Sequence, residues 1–273
     1  MSFSLDFDSL PTLPVIVQQV MTEINNTQSS IKDIAGIVER DQSMSAKILK
    51  LVNSAFYGFP KRIGTISHAV SILGFETVKS LVLGVAILDA FKIQEFNMFS
   101  FWEHSIKTAS LSAHFAKKMN YPSPDEAFVV GLIHDIGKLI FMMKAPQEYR
   151  QILTEHANTH ISYLLLERKY LKMDHAFAAG QVARLWNFPP TYIQAISGHH
   201  LKAALTDTPV SLRQILYIGN AVCHMIAEDR PYEPDVNLDP KMLARFKITV
   251  EESQEYLISI EPAIIEFLQI ISH

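Results

Sequence analysis

The stretch SPDEAFVVGLIHDIG, residues 123–137, contains start and stop signals for a helix. It opens with a serine suited to capping, followed by Pro124 and two acidic residues, a combination that favours a helix N-terminus. An apolar run follows and ends at His134 and Asp135, and we expect Gly137 to break the helix. The stretch therefore predicts a helix with a histidine–aspartate pair at its C-terminal end.

Helical spacing recurs outside this stretch. In residues 30–41, SIKDIAGIVERD, apolar side chains return every three or four positions, and Ser30 with Asp33 forms a capping box. Asp41 is placed to cap the next helix, and Thr65 the one after it. No segment has the strict alternation of polar and apolar residues that is typical of a strand. The sequence therefore predicts an all-α protein, a multi-helix bundle.

The overall charge does not favour nucleic acid as a partner. The 273 residues include 24 Lys and Arg against 28 Asp and Glu, which gives a formal net charge of −4. A nucleic-acid-binding domain usually carries a basic face. The basic pairs Lys61–Arg62 and Lys117–Lys118 are too small to form such a face, and we interpret them as solvated surface.

Cysteine content and hydropathy indicate the compartment. Cys223 is the only cysteine, so no internal disulfide can form, and a reducing environment is the simpler expectation. The most apolar run, SLVLGVAILDAF at residues 80–91, is interrupted by Asp89 and is too short to span a bilayer. The N-terminus lacks the basic start and apolar core of a signal peptide. We expect a cytoplasmic protein that does not enter the membrane.

Histidines are the main candidates for chemistry. Five of the eleven, together with one carboxylate, can serve a common centre: His104, His134, Asp135, His175, His199 and His200. Neutral imidazole and carboxylate suit a divalent ion such as iron, manganese or zinc. Helix ends that meet in the core of a bundle are a usual place for such an ion. A metal site is therefore one interpretation of these residues.

The same residues also fit structural roles. The pair His134–Asp135 can cap the helix that ends there, and His175 follows Asp174, so it can belong to an N-cap. His199 and His200 can form a solvated turn after Gly198. Spacing alone leaves both interpretations open, because the chain has no short ligand motif such as a C-x-x-C pair.

The N-terminal half resembles the HDOD family, a signalling branch related to the HD superfamily of metal-dependent phosphohydrolases. The resemblance is carried by three segments: LPTLP at residues 10–14, IVERDQSMSAKILKLVNSAFYG at 37–58, and TISHAVSILGFETVKSLVL at 65–83. It extends over most of the chain, to about Asn220. It implies a regulatory role in bacterial signalling, with a signalling protein or a small phosphorylated ligand as partner.

The second half resembles the catalytic core of HD and HD-GYP phosphodiesterases. The resemblance implies that His104 is the first ligand and that His134 with Asp135 is the pair that names the superfamily. Lys138 matches the lysine that can contact a substrate phosphate. The remaining ligands would be His175, His199 and His200, in the order of the HD-GYP pattern. This ligand set implies a metal-dependent phosphohydrolase acting on a nucleotide or a phosphodiester as the alternative function.

Two departures separate the chain from those enzymes. Asn220 stands where the superfamily has its last aspartate ligand, and a neutral amide is a poorer ligand than a carboxylate. The segment LKAALTDTP, residues 201–209, lacks the Gly-Tyr-Pro signature that accompanies cyclic di-GMP hydrolysis. We therefore expect a regulatory protein that keeps a metal-binding pocket.

The resemblance also predicts a division of the chain into three parts. Residues 1–95 would form an N-terminal helical subdomain that packs on an HD-like helical core of residues 96–229. Residues 230–273 would form a C-terminal helical extension.

Overall fold

The computed structural model describes most of the chain: residues 15–24, 30–53, 57, 59–74, 77–78, 81–85, 97–201, 209–227, 238 and 240–271. The described residues contain helices and no strand, which confirms the all-α fold class. None of the helices within these ranges is both long and apolar enough to cross a membrane. Parts of the predicted features at residues 10–14, 54–56, 86–91 and 202–208 lie outside the described residues.

The bounded helices are, in chain order, α1 (Val15–Ile24), α2 (Ile31–Glu39), α3 (Gln42–Val52), α4 (Ile66–Leu73), α5 (Met98–Lys118), α6 (Pro124–Ile133), α7 (Ile136–Lys144), α8 (Pro146–Thr159), α9 (Tyr163–Leu171), α10 (His175–Leu185), α11 (Pro190–Ser197), α12 (Leu212–Ile226), α13 (Pro240–Arg245), α14 (Val250–Ser259) and α15 (Glu261–Ile271).

The chain divides into two compact units. The described residues of the first unit fall within 11–107 and 255–273, and those of the second within 108–254. Helix α5 is divided between them, since residues 98–107 belong to the first unit and 108–118 to the second. The three-part division predicted from the sequence stays a prediction.

Capping residues define the helix starts in the first unit. The backbone N–H of Ser30 donates to Asp33 Oδ2 over 2.8 Å, and this capping box opens α2. Asp41 Oδ1 accepts a backbone hydrogen bond of 3.0 Å at the start of α3, and Thr65 Oγ1 accepts one of 3.1 Å at the start of α4. These three predicted starts are confirmed. Helix α2 packs against α1, α3 and α4, and α15 packs against α3.

The region around Gly137 differs from the prediction. Helix α6 ends at Ile133 and α7 begins at Ile136, so the break lies at His134 and Asp135. Gly137 lies in the first turn of α7, and the prediction that it breaks the helix is wrong. Its small size has another reason: an added Cβ would lie 2.0 Å from the carbonyl oxygen of His175. The glycine allows close helix packing rather than termination.

At the start of α6, Ser123 occupies the N-cap position that the sequence predicts. Its side chain makes no capping hydrogen bond. Pro124 follows in the first turn, where the missing backbone N–H is not needed. The helix start is therefore confirmed, but its side-chain cap is not.

Helix packing in the second unit brings three chain segments together. Helix α10 packs against α7 and α11, while α11 also packs against α6 and α12. The junction between α6 and α7, the first residue of α10 and the residues after α11 therefore belong to one connected set of helices. These are the segments that carry the predicted histidines.

Candidate metal centre

Five side chains from these segments form a cluster in the second unit. His134 and Asp135 lie between α6 and α7, His175 is the first residue of α10, and His199 and His200 follow the end of α11. The first four are at most 2% exposed, and His200 is partly exposed. We call these five residues the His/Asp cluster.

The Nε2 atoms of three histidines converge on one carboxylate oxygen. Oδ1 of Asp135 lies 3.2 Å from His175 Nε2, 3.5 Å from His134 Nε2 and 3.7 Å from His199 Nε2. The Nε2 atoms of His175 and His200 are 2.8 Å apart. One ligand atom each from Asp135, His175, His199 and His200 lies within 4.8 Å of the others, so the cluster can hold a metal ion.

Backbone carbonyls fix the orientation of two of these rings. His134 Nδ1 lies 2.7 Å from the carbonyl oxygen of Gly131, and His199 Nδ1 lies 2.6 Å from that of Ile196. A carbonyl can only accept, so both Nδ1 atoms carry the proton and donate it. The lone pair then lies on Nε2, the atom directed at Asp135, as is usual for histidine ligands of metals.

A buried carboxylate fixes the third ring. His175 Nδ1 lies 2.7 Å from Glu167 Oε2, and the backbone N–H of His175 donates to the same oxygen over 2.8 Å. The hydroxyl of Tyr149 donates to Glu167 Oε1 over 3.2 Å. Glu167 is 0% exposed. Its contacts with His175 connect it to the cluster.

Sequence reasoning missed Glu167. It stands three residues after Leu164 and four before Leu171, two buried residues of α9. Helical spacing therefore puts a carboxylate on the apolar face of α9. A buried carboxylate needs a partner. A glutamate on the apolar face of a helix is therefore the sequence signal that would have identified Glu167.

Lys138 pairs with the other carboxylate oxygen of Asp135. Its Nζ donates to Asp135 Oδ2 over 2.7 Å and lies 5.4 Å from the centre of the Tyr163 ring. The Lys138 side chain is 13% exposed. Asp135 thus presents Oδ1 to the histidines and Oδ2 to an ammonium group.

Burial and charge act on the protonation of the histidines in different directions. Burial lowers the pKa of His134, and it lowers the pKa values of His199 and His200 well below their usual range. Burial also acts to lower the pKa of His175, but the charges of Glu167 and Asp135 outweigh it and raise the pKa to about 10. Three of the four imidazoles are therefore neutral at pH 7, the form that binds metal.

The carboxyl group is held in its ionised form. Burial acts to raise the pKa of Asp135, but the adjacent His134 and the Lys138 ammonium outweigh it and hold that pKa well below the usual range. A carboxylate and neutral imidazoles suit iron, manganese or zinc. The residues of the cluster therefore fit a divalent ion.

Two further predicted positions are buried. His104 is 6% exposed and lies on the part of α5 that belongs to the first unit, and its role as a ligand stays a prediction. Asn220 lies on α12, which packs against α6 and α11. Its Oδ1 has no hydrogen-bond partner within the described part of the chain.

His156 is a buried histidine outside the cluster. Its Nδ1 lies 2.7 Å from the Ile161 carbonyl oxygen, and its ring stacks on Tyr163.

The all-α fold and the buried His/Asp cluster place this chain among helical proteins with a candidate metal centre. The HDOD domain family matches residues 10–202, and the chain belongs to this family. The family resemblance inferred from the sequence is thereby confirmed.

Curated relatives include an uncharacterized protein of Treponema pallidum (strain Nichols). It is 24% identical over 246 residues, which is 90% of this chain and 47% of that protein. The uncharacterized protein YuxH of Bacillus subtilis (strain 168) is 26% identical over 157 residues, 55% of this chain and 38% of YuxH. The matched regions are thus less than half the length of these two relatives.

Solved structures share the fold. This chain is similar to a "Putative phosphohydrolase" from Shewanella amazonensis SB2B, with 25% identity, a TM-score of 0.78, and coverage of 97% of this chain and 96% of that one. It is also similar to a "Putative signal transduction protein" from Marinobacter aquaeolei VT8, with 22% identity, a TM-score of 0.79, and coverage of 97% and 60%.

Proposed function

We propose that this HDOD chain is a regulatory module of bacterial signal transduction whose His/Asp cluster holds a divalent metal ion. The observation that carries the proposal is the convergence of three Nε2 atoms on Asp135 Oδ1. Each of these rings is anchored through its Nδ1 atom, so Nε2 is the atom that faces an ion. On His175 the ion would displace a proton from Nε2.

A metal site closed by protein ligands would suit a regulatory rather than a catalytic role for the ion. Four of the five cluster residues are at most 2% exposed. Structural metal sites are closed by protein ligands, whereas catalytic sites keep a position open for water or substrate. Lys138 is paired with Asp135, so its ammonium is not directed at a substrate.

The cluster joins three segments that are far apart in the chain. An ion held by Asp135, His175 and His199 would link the α6–α7 junction to the start of α10 and the end of α11. Binding to the folded state stabilises that state by an amount that grows with the logarithm of the ratio of metal concentration to dissociation constant. Metal binding would thus make the second unit more rigid. A signalling protein or a small phosphorylated ligand would bind to this more rigid form.

A metal-dependent phosphohydrolase is the second candidate. It is favoured by the ion pair between Lys138 and Asp135, which keeps a phosphate-binding cation beside the cluster. The name of the Shewanella amazonensis protein points in the same direction. A bound ion would supply an activated water and neutralise charge on the ester. Lys138 would contact the phosphate only after leaving Asp135.

One experiment separates the two candidates. Protein treated with a chelator is supplied with manganese, iron or zinc, and its Tm and its hydrolysis of a generic phosphodiester are measured. The regulatory proposal predicts a higher Tm without turnover. Turnover that disappears in His134→Ala but persists in His156→Ala would favour the phosphohydrolase. An unchanged Tm with every metal would overturn metal binding in both.

A further inference from the structure

Glu167 is an anionic side chain in a part of the protein that excludes water. It is 0% exposed, and an isolated buried carboxylate is strongly unfavourable unless positive charge compensates it. Its hydrogen-bond partners within the described residues are Tyr149 and His175. Of these two, only the His175 ring can carry positive charge or bind a positive ion.

We infer that Glu167, held by the hydroxyl of Tyr149, is a positioning residue that orients His175 toward a metal ion at its Nε2 atom. The inference rests on the proposed function. It adds a carboxylate to the centre that does not touch the ion and that the predicted ligand set does not include.

Two hydrogen bonds to one oxygen make the orientation specific. Glu167 Oε2 accepts from the backbone N–H of His175 over 2.8 Å and lies 2.7 Å from its Nδ1 atom. The first bond holds the first residue of α10, and the second fixes the rotation of the ring. A carboxylate cannot donate, so the Nδ1 atom carries a proton. The raised pKa of His175 puts a second proton on Nε2 at neutral pH, and an ion would bind at Nε2 by displacing that proton.

The charge of this anchor distinguishes His175 from the other two rings. His134 and His199 donate to backbone carbonyls, which are neutral, whereas His175 donates to a carboxylate. A carboxylate partner makes the imidazole a stronger ligand. It also adds negative charge near the ion, on the side of His175 away from Asp135. We therefore expect metal affinity to depend on Glu167.

Tyr149 completes the arrangement from α8. Its side chain is 1% exposed, and its hydroxyl donates to Glu167 Oε1 over 3.2 Å. The hydrogen bond leaves Oε2 free to accept both bonds from His175. Removing the hydroxyl should weaken metal binding only through Glu167.

The test compares Glu167→Gln with Glu155→Gln. Glu155 is a matched control because its carboxylate also accepts from a tyrosine hydroxyl, that of Tyr170, and pairs with Lys169 on the protein surface. Metal dissociation constants are measured by competition with a chelator, and the absorption spectrum of the Co²⁺-loaded protein reports the ligand field. Glu167→Gln should weaken metal binding by about 10- to 100-fold and change the Co²⁺ spectrum. Glu155→Gln should leave both unchanged.

A double-mutant cycle tests the role of Tyr149. Tyr149→Phe keeps the ring and should weaken metal binding by roughly two- to tenfold. Added to Glu167→Gln, it should cause little further loss, because the two residues act through one contact. If Glu167→Gln does not fold, Tyr149→Phe alone decides, and unchanged affinity in that variant contradicts the inference.

The possible failures are distinct. Wild-type protein that binds no metal overturns the proposed function and this inference together. Wild-type protein that binds metal, with equal affinity and an equal Co²⁺ spectrum in Glu167→Gln, overturns only the positioning role. Unfolding in urea of the metal-free variants shows whether a loss of affinity merely reflects a loss of folded protein.

Discussion

The carbonyl oxygen of His175 lies so close to Gly137 that a Cβ atom on the glycine would stand 2.0 Å from it. This contact joins the first turn of α7 to the first residue of α10. It accompanies the 3.2 Å approach of His175 Nε2 to Asp135 Oδ1. The absence of a side chain at Gly137 therefore allows α7 and α10 to approach each other closely beside two of the candidate ligands.

Gly137→Ala should destabilise the protein and weaken metal binding. The added methyl group meets backbone, which cannot rotate away, so α7 and α10 must separate. Overpacking of this kind costs about 1–3 kcal/mol in the free energy of unfolding. Urea unfolding of metal-free protein measures the first effect, and chelator competition measures the second.

Gly36→Ala is the control for that substitution. Gly36 lies in α2, and nothing lies within 4 Å of the position its Cβ would take. Alanine should stabilise this helix by about 0.5–1 kcal/mol, because glycine loses more backbone entropy on folding. Equal effects of the two substitutions would contradict the close packing at Gly137.

Lys138→Met should destabilise the metal-free protein more than the metal-loaded one. The change removes the ammonium that lies 2.7 Å from the buried Asp135 carboxylate. Loss of one partner of a buried ion pair costs roughly 3 kcal/mol, and a divalent ion at the cluster would restore most of it. Thermal unfolding with and without metal measures both states.

Lys107→Met is the control for Lys138→Met. Lys107 pairs with Glu103 one helical turn away on α5, and both side chains are about one-third exposed. Its replacement should change stability by less than about 1 kcal/mol, with no dependence on metal. A metal-independent loss in Lys138→Met would contradict the link between the ion pair and the cluster.

Asn220→Asp should increase metal affinity and destabilise the metal-free protein. The buried amide oxygen has no hydrogen-bond partner within the described residues, so a carboxylate there would carry an uncompensated charge until an ion binds. We expect a loss of roughly 1–3 kcal/mol without metal that metal reverses. Calorimetric titration with manganese measures the affinity. Lower stability with unchanged affinity would place Asn220 outside the metal centre.

The sequence predicted the cluster through residues at helix ends. The pair His134–Asp135 and the histidines at 199 and 200 each follow an apolar helix that the periodicity identified. That they lie within a few ångströms of one another depends on how α6, α10 and α11 pack, which spacing along the chain does not specify. The ligand order of a known family supplied that step.

Local signals failed where tertiary contacts decided the structure. The hydrogen bond from Ser30 to Asp33 and the Asp41 cap form as predicted, because each joins groups only three residues apart in the chain. Gly137 was misread as a helix terminator because its close contact is with His175, 38 residues away. Glu167 was missed for the same reason, since its partners come from α8 and α10.

Metal content tests the central claim most directly. Wild-type protein, His134→Ala and His156→Ala are purified without an affinity tag, and each is analysed for iron, manganese and zinc by mass spectrometry. His156 is the matched control, since it is buried and its Nδ1 contacts a backbone carbonyl oxygen outside the cluster. We predict near-stoichiometric metal in wild type and His156→Ala, and its loss in His134→Ala. Metal-free wild-type protein, or equal metal in all three, would contradict the metal centre.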